Sequence, residues 1–290
     1  MPQPSARIYT LITAAMPTAL DHLVETAQSI AAQQLPDGWQ IQWCVWADGD
    51  DHADITRLTA DVFPPTANPE RRSPQVHVEM GNTSRHVGPA ACRNIALAHA
   101  TGELVRQLDA DDLLLPGALA SDITVMAESP ELVWCASGTV NLYEDGTSEP
   151  WHDTPDPGII KQGGLYDWFC DGAGIIEIHA ATVCARTDAV RSFGGWAGLW
   201  PNEDTYVLLM LSELGSGVYR SEPSHVYRFW DGASTASFDA DTIDIDPRIV
   251  DTANALHQYM KARRRWWAPR KQIVDSDGML EHQGAVYPYT

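Results

Sequence analysis

Within the first 130 residues, short apolar runs alternate with amphipathic stretches, and nearly every run ends in a polar or acidic turn. Residues 8–15 form such a run and stop near Pro17, which predicts a buried first strand. Asp21 is placed to cap a helix reaching about residue 34, with Leu23, Ala27, Ile30 and Gln34 on one face. Pro36-Asp37-Gly38 then turns the chain into residues 40–47, a second strand of Ile, Trp, Cys and Val. Residues 76–80 predict a third strand, and Pro89 opens a helix ending near Gly102. Residues 104–108 predict a fourth strand, followed by a helix from Pro116. Strand–helix–strand order of this kind implies an α/β fold with a mostly parallel sheet and helices on both faces.

The pattern changes after residue 131. Residues 132–140 and 180–185, with a turn at Asp145-Gly146, read as longer or antiparallel strands. Helices return over 204–214 and 246–265. The expected organisation is one domain over residues 1–240, with halves at about 1–130 and 131–240, and a helical tail over 241–290.

Charge excludes more than it proves. The chain has 39 acidic against 19 basic residues and a net charge of −20, so it repels a phosphate backbone and is not expected to bind nucleic acid. A phosphorylated substrate would need a cation between itself and the protein. Five cysteines without a Cys-x-x-Cys spacing read as buried apolar groups of a reducing compartment. No apolar run reaches the length of about 20 residues that crosses a bilayer, and no signal peptide is evident, so the expected location is cytoplasmic.

Two acidic clusters fall at strand ends, where open parallel sheets bind ligands. Asp48, Asp50, Asp51 and Asp54 follow the second strand, and Asp109-Ala110-Asp111-Asp112 follow the fourth. Crowded carboxylates repel one another, and either solvent or a divalent cation relieves them. Mg²⁺ and Mn²⁺ take oxygen ligands, so a D-x-D pair beside a phosphate suits them, while a solvated turn with Asp112 as a helix cap is the plainer reading.

The surroundings of that tetrad carry a resemblance. Gly88-Pro89-Ala90-Ala91-Cys92-Arg93-Asn94, Ala100-Thr101-Gly102-Glu103, Leu108 to Asp112 and Leu115-Pro116-Gly117 resemble the family 2 glycosyltransferases of GT-A (Rossmann-like) fold. Gly194-Gly195-Trp196 followed by Asn202-Glu203-Asp204 is similar to that family's second signature. Tyr227-Arg228-Phe229-Trp230 to Ser234 resembles its C-terminal Tyr-Arg-x-His segment. The resemblance spans about residues 7–237 and implies metal-dependent, inverting transfer of one sugar from a nucleotide-sugar donor, commonly UDP-linked, to an acceptor hydroxyl. It implies that Thr13, Ala14 and Asp48 line the base pocket, Asp48 accepting from a ring N–H. Arg93 would help hold the nucleotide or serve as a scaffold ion pair. Asp109, Ala110 and Asp111 would meet the nucleotide sugar. Asp111, with Asp109, would hold Mn²⁺ or Mg²⁺, and Asp204 would be the general base with Glu203 orienting acceptor or base. The family's His position holds Trp230 here, so the third metal ligand is open, with His225 as one candidate.

Eleven tryptophans against five phenylalanines point to core packing and to sugar stacking. Trp196, Trp200 and Trp230 are the acceptor candidates; His179 and Tyr166 are weaker ones. Residues 257–271 carry six Lys/Arg and no acid. They suit docking on the acidic body or a second subunit, or a peripheral membrane anchor. The acceptor class is a carbohydrate, natural product or carrier-bound sugar. Alternative readings are a sugar-nucleotide pyrophosphorylase, disfavoured by a first loop (residues 13–18) without Gly or Lys/Arg, and a non-catalytic carbohydrate-binding protein.

Overall fold

The computed structural model describes residues 6–16, 19–49, 76–151, 154–171, 176–198 and 203–231, with isolated positions at 55, 62, 63, 233, 255, 257 and 258. Parallel pairing joins β1 (Arg7–Ala15), β2 (Trp39–Ala47), β3 (Val76–Asn82) and β4 (Leu104–Gln107). Their spatial order is β3-β2-β1-β4. β1 and β2 are buried on both faces, as their unbroken apolar runs require. Helix α1 (Leu20–Ala31) crosses from β1 to β2, and α2 (Pro89–His99) leads from β3 to β4.

The sheet continues beyond β4 as a mixed array. β5 (Leu113–Leu114) and helix α3 (Ala118–Glu128) follow the acidic turn, and then come β6 (Trp134–Leu142), β7 (Ser148–Pro150) and β8 (Gly158–Ile160). Helix α4 (Gly164–Asp171), β9 (Cys184–Arg186), α5 (Thr187–Ser192), α6 (Glu203–Leu214) and β10 (Gly217–Arg228) complete the described chain. β9 is antiparallel to β4 and β6, and β10 runs parallel to β6, giving the order β4-β9-β6-β10-β5. The α/β class and the GT-A arrangement agree with the sequence reading. The second half corrects it in detail, because β6 has a parallel partner as well as antiparallel ones. Residues 180–185 also divide into a 3₁₀ turn, Ala180–Thr182, and the short β9.

Helix ends differ where capping was inferred from residue type. α1 starts after Ala19 without a side-chain cap, so Asp21 lies inside it. It stops at Ala31, where Gln33 turns its amide onto the carbonyls of Ser29 and Leu115. Gly117, at φ 79°, delays α3 until Ala118. Most of the expected helix 246–265 and of the 241–290 tail lies outside the described residues. His257 is described, and it stacks on Tyr166 at 3.7 Å and bonds Glu213 at 2.9 Å. Among the described residues no helix is long and apolar enough to cross a membrane. Cys44, Cys92, Cys135 and Cys184 are buried and free, as anticipated.

Two apolar clusters pack the sheet's faces, one beneath α2, α5 and α6 and one beneath α1 and α3. Polar groups inside them converge on Asp122. Tyr9 donates its hydroxyl hydrogen to that carboxylate at 2.8 Å, Arg106 donates at 3.1 Å, and Arg220 donates to its other oxygen. Asp122 and Arg106 are fully buried, so each needs the other's charge. Asp122→Ala therefore leaves buried cations unpaired and is expected to cost about 3–5 kcal/mol, read as a fall in the urea midpoint without a change in slope.

Candidate active site

Helix α2 organises the site because its two consecutive polar side chains face different partners. Arg93 is 7% exposed and forks between two chain segments. One nitrogen donates to Asp109 Oδ1 at 2.7 Å and another to Glu203 Oε1 at 2.8 Å. Asn94 grips the Gly-Gly-Trp turn, donating to the Trp196 carbonyl at 2.7 Å and accepting from the Trp196 N–H at 2.9 Å. Gly195 sits at φ 77°, and a Cβ there would lie 2.2 Å from the Asn94 amide oxygen, so only glycine allows this docking. The pieces carrying Arg93-Asn94, the D-x-D turn and the Glu-Asp pair thus meet at one place.

The acidic turn is clamped from two sides. Thr26 of α1 places its hydroxyl 2.9 and 2.8 Å from the carbonyls of Ala110 and Asp112. From β10, Arg228 donates through Nε to the Asp111 carbonyl at 2.9 Å, and its backbone N–H donates to Asp112 Oδ1 at 3.0 Å. Its far nitrogen reaches Glu25 at 2.6 Å. The Trp230 indole N–H donates to Asp111 Oδ2 at 2.8 Å. Asp112 is buried and lies 2.9 Å from His225 Nε2, so it is neither a solvated residue nor a helix cap.

Electrostatics follow from packing several carboxyls around one guanidinium. Arg93 holds Asp109 below the ordinary carboxylate value despite its burial. Asp111 is pushed up to about 6 by burial and by repulsion from Asp112 and Asp109. Asp112 is pushed up to about 7, burial first and Asp109 second. Burial raises Glu203 and Asp204, against the pull of Arg93. Burial depresses His179 to about 4 and His225 to about 3, so both are neutral. Arg93 Nε and Glu203 Oε2 are buried without a hydrogen-bond partner among the described residues. Asp204 accepts from the Thr205 N–H at 2.7 Å and borders a cavity of about 20 Å³ with Gln107, Trp196 and Leu208, room for roughly one water.

Two donor sets could take a cation. The D-x-D carboxylates offer the oxygen ligands that Mg²⁺ and Mn²⁺ prefer. Asp112, His179 and His225 also place ligand atoms within 4.8 Å of one another. His225 enters that set, although Asp112 and Thr139, 3.3 Å from its other nitrogen, already engage it.

Several sequence assignments change. Thr13 is fully buried, donates to the Leu108 carbonyl at 2.7 Å and accepts from the Trp43 indole at 2.8 Å, so its side chain braces the sheet. Ala14 is partly exposed. Ala110 is buried, with its carbonyl beside Thr26. Asp48 accepts from the N–H groups of Val87 at 2.7 Å and Gly88 at 3.0 Å, fixing the loop before α2. Trp196 is 4% exposed and its indole donates to Gln107 at 2.9 Å, so it presents no face to an acceptor. Trp200, Asp50, Asp51 and Asp54 lie outside the described residues. Arg228 and Thr26 went unassigned, and Asp112 was read only as a member of the acidic turn and a helix cap. The Tyr-Arg segment pointed towards Arg228, but no spacing reveals the other two contacts.

The model of glycosyl transferase family 2 matches residues 23–174, just over half of the chain. The Bacillus subtilis (strain 168) protein EpsE, assigned as a glycosyltransferase, is 24% identical over 176 residues, 60% of this chain and 55% of its own. Among solved structures, S. aureus TarS 1-349 with UDP-GlcNAc is similar at a TM-score of 0.63 and 14% identity, covering 88% of this chain and 66% of that one. The mannosyltransferase PcManGT of Pyrobaculum calidifontis, with GDP-Man and Mn²⁺, is similar at a TM-score of 0.51 and 17% identity, covering 92% and 67%. The chain therefore spans about half the length of the curated relative it matches.

Arg93→Met would leave Asp109 and Glu203 facing each other without their cation. A loss of about 3–5 kcal/mol is expected on thermal unfolding, with Arg93→Lys restoring only part because an ammonium lacks the fork. Motif, fold and the meeting of signature residues agree: the chain belongs to glycosyl transferase family 2.

Proposed function

We propose that this protein transfers one sugar from a nucleotide-sugar donor, UDP-linked, to an acceptor hydroxyl with inversion. The observation that carries the reading is the Arg93 bridge, which sets the D-x-D turn beside the Glu-Asp pair. The structural relatives solved in complex with UDP-GlcNAc and with GDP-Man support a nucleotide-sugar donor.

Asp204 is assigned as general base. Burial raises the proton affinity of its carboxyl, which strengthens it as a base, and a small pocket lies beside it. Glu203, held by Arg93 through one oxygen, keeps the other for an acceptor hydroxyl or for orienting the base. Asp111 and Asp109 are the residues that would hold Mn²⁺ or Mg²⁺. Several carboxyls crowded around one guanidinium leave surplus negative charge, and an all-oxygen donor set fits a hard divalent cation. Such a cation would neutralise charge on the departing nucleoside diphosphate. Ala14 and Asp48 remain at the strand ends assigned to the base, with Asp48 able to exchange a backbone partner for a ring N–H.

Asp204→Asn is expected to lower transfer by at least about a thousandfold while calorimetric binding of UDP persists; loss of both together would remove the base assignment. In the wild type, kcat/KM should fall on the acid side with a pKa above 3.8, the ordinary aspartate value, because protonation removes the base. Asp111→Ala should weaken UDP binding only when Mn²⁺ or Mg²⁺ is present. Full wild-type activity in chelator would overturn the ligand assignment. Metal-dependent UDP binding also separates this reading from a non-catalytic carbohydrate-binding protein.

A further inference from the structure

Beyond the D-x-D turn, the outer ends of β6, β7 and β10 form a surface with its own chemistry. Strand register places Asn141 opposite Tyr227 on one side and opposite Glu149 on the other. Directly opposed residues project to the same face of a sheet, so these three share a surface. Tyr143, two residues after Asn141, donates its hydroxyl hydrogen to Glu149 and stacks on Phe229 at 5.0 Å and 19°. Tyr227 meets Phe229 edge-on at 4.8 Å and Trp151 at 5.8 Å.

Two observations point to a ligand here. Phe229 is 38% exposed, one of few large apolar side chains so placed among the described residues. Asn141 is only 4% exposed, and its amide oxygen is buried without a hydrogen-bond partner among the described residues. Buried polar atoms are almost always satisfied, so this one marks a place where a polar ligand group completes the set. A pyranose ring has an apolar C–H face and a rim of hydroxyls. Aromatic rings flanked by an amide and a carboxylate complement both. Glu149 and the chain's net charge of −20 disfavour an anionic sugar or a phospholipid surface.

Packed side chains join this surface to the acidic turn. His179 lies 5.0 Å from both Trp151 and Tyr227 and 4.7 Å from His225, which holds Asp112. We infer that this face is the acceptor subsite, taking an uncharged pyranose ring against Phe229 and Tyr227, with hydroxyls reaching Asn141 and Glu149. The inference rests on the transferase reading above for the word acceptor, but not for the sugar site itself.

Saturation-transfer NMR with neutral methyl hexopyranosides and N-acetylhexosaminides, on the full chain with UDP and diamagnetic Mg²⁺, tests it. At least one pyranoside should bind, and Phe229→Ala should weaken it tenfold or more, as should Trp151→Ala, while Phe229→Tyr retains it and UDP binding holds. Phe229 is exposed, so its variants keep the fold. No pyranoside binding by UDP-loaded protein, or binding that neither alanine variant changes, overturns the subsite. Pyranoside binding that depends on Phe229 in a protein that never binds UDP sinks the transferase reading and leaves the sugar site standing.

Discussion

A single buried guanidinium makes this site one object. Arg93 joins Asp109, 16 residues later, to Glu203, 110 residues later, and both carboxylates come from separate layers of the fold. Without a cation between them the two acids would repel, and β4's end would separate from the start of α6. A buried ion pair of this kind contributes little net stability over an apolar replacement, but it admits one arrangement only. Geometry is what it secures. Asn94, its neighbour, extends the same logic to the backbone by fastening the turn that precedes the Glu-Asp pair.

Legibility of the sequence followed the range of the interactions. Apolar runs marked the parallel strands to within a residue or two, because β1 and β2 are buried on both faces and tolerate little else. Helix starts were less readable for α1 and α3, which begin without a side-chain cap, whereas Pro89 marked the start of α2. Signature motifs located the D-x-D turn and the Glu-Asp pair. A motif position, however, says where the backbone passes and not which way a side chain turns. Thr13, Ala110 and Trp196 were assigned to ligands, yet all three are buried against the sheet or its turns. Conversely, Thr26, Asp112 and Arg228 act through contacts set by tertiary register, which no local spacing encodes.

The tryptophan surplus divides along the same line. Trp43 and Trp134 are wholly buried, and a Cβ on Gly217 would lie 2.1 Å from the Trp134 ring. Such rings are architecture. Trp151 and Trp230 are partly exposed, one packed edge-on against His179 and the other donating to Asp111. The acid surplus divides too, between a solvated exterior and a few carboxyls whose proton affinities rise because they are crowded and dry.

The clamp on the acidic turn bears on the order in which the protein is made. Asp111 is fixed by Arg228 and Trp230, which leave the ribosome more than a hundred residues after it. The segment matched by the family, residues 23–174, therefore contains the turn without the strand that shapes it. During synthesis the nascent N-terminal half holds a cluster of mutually repelling acids and an Arg93 that has Asp109 but still lacks Glu203. The clamp on the acidic turn is therefore complete only once β10 and the residues just beyond it have been made.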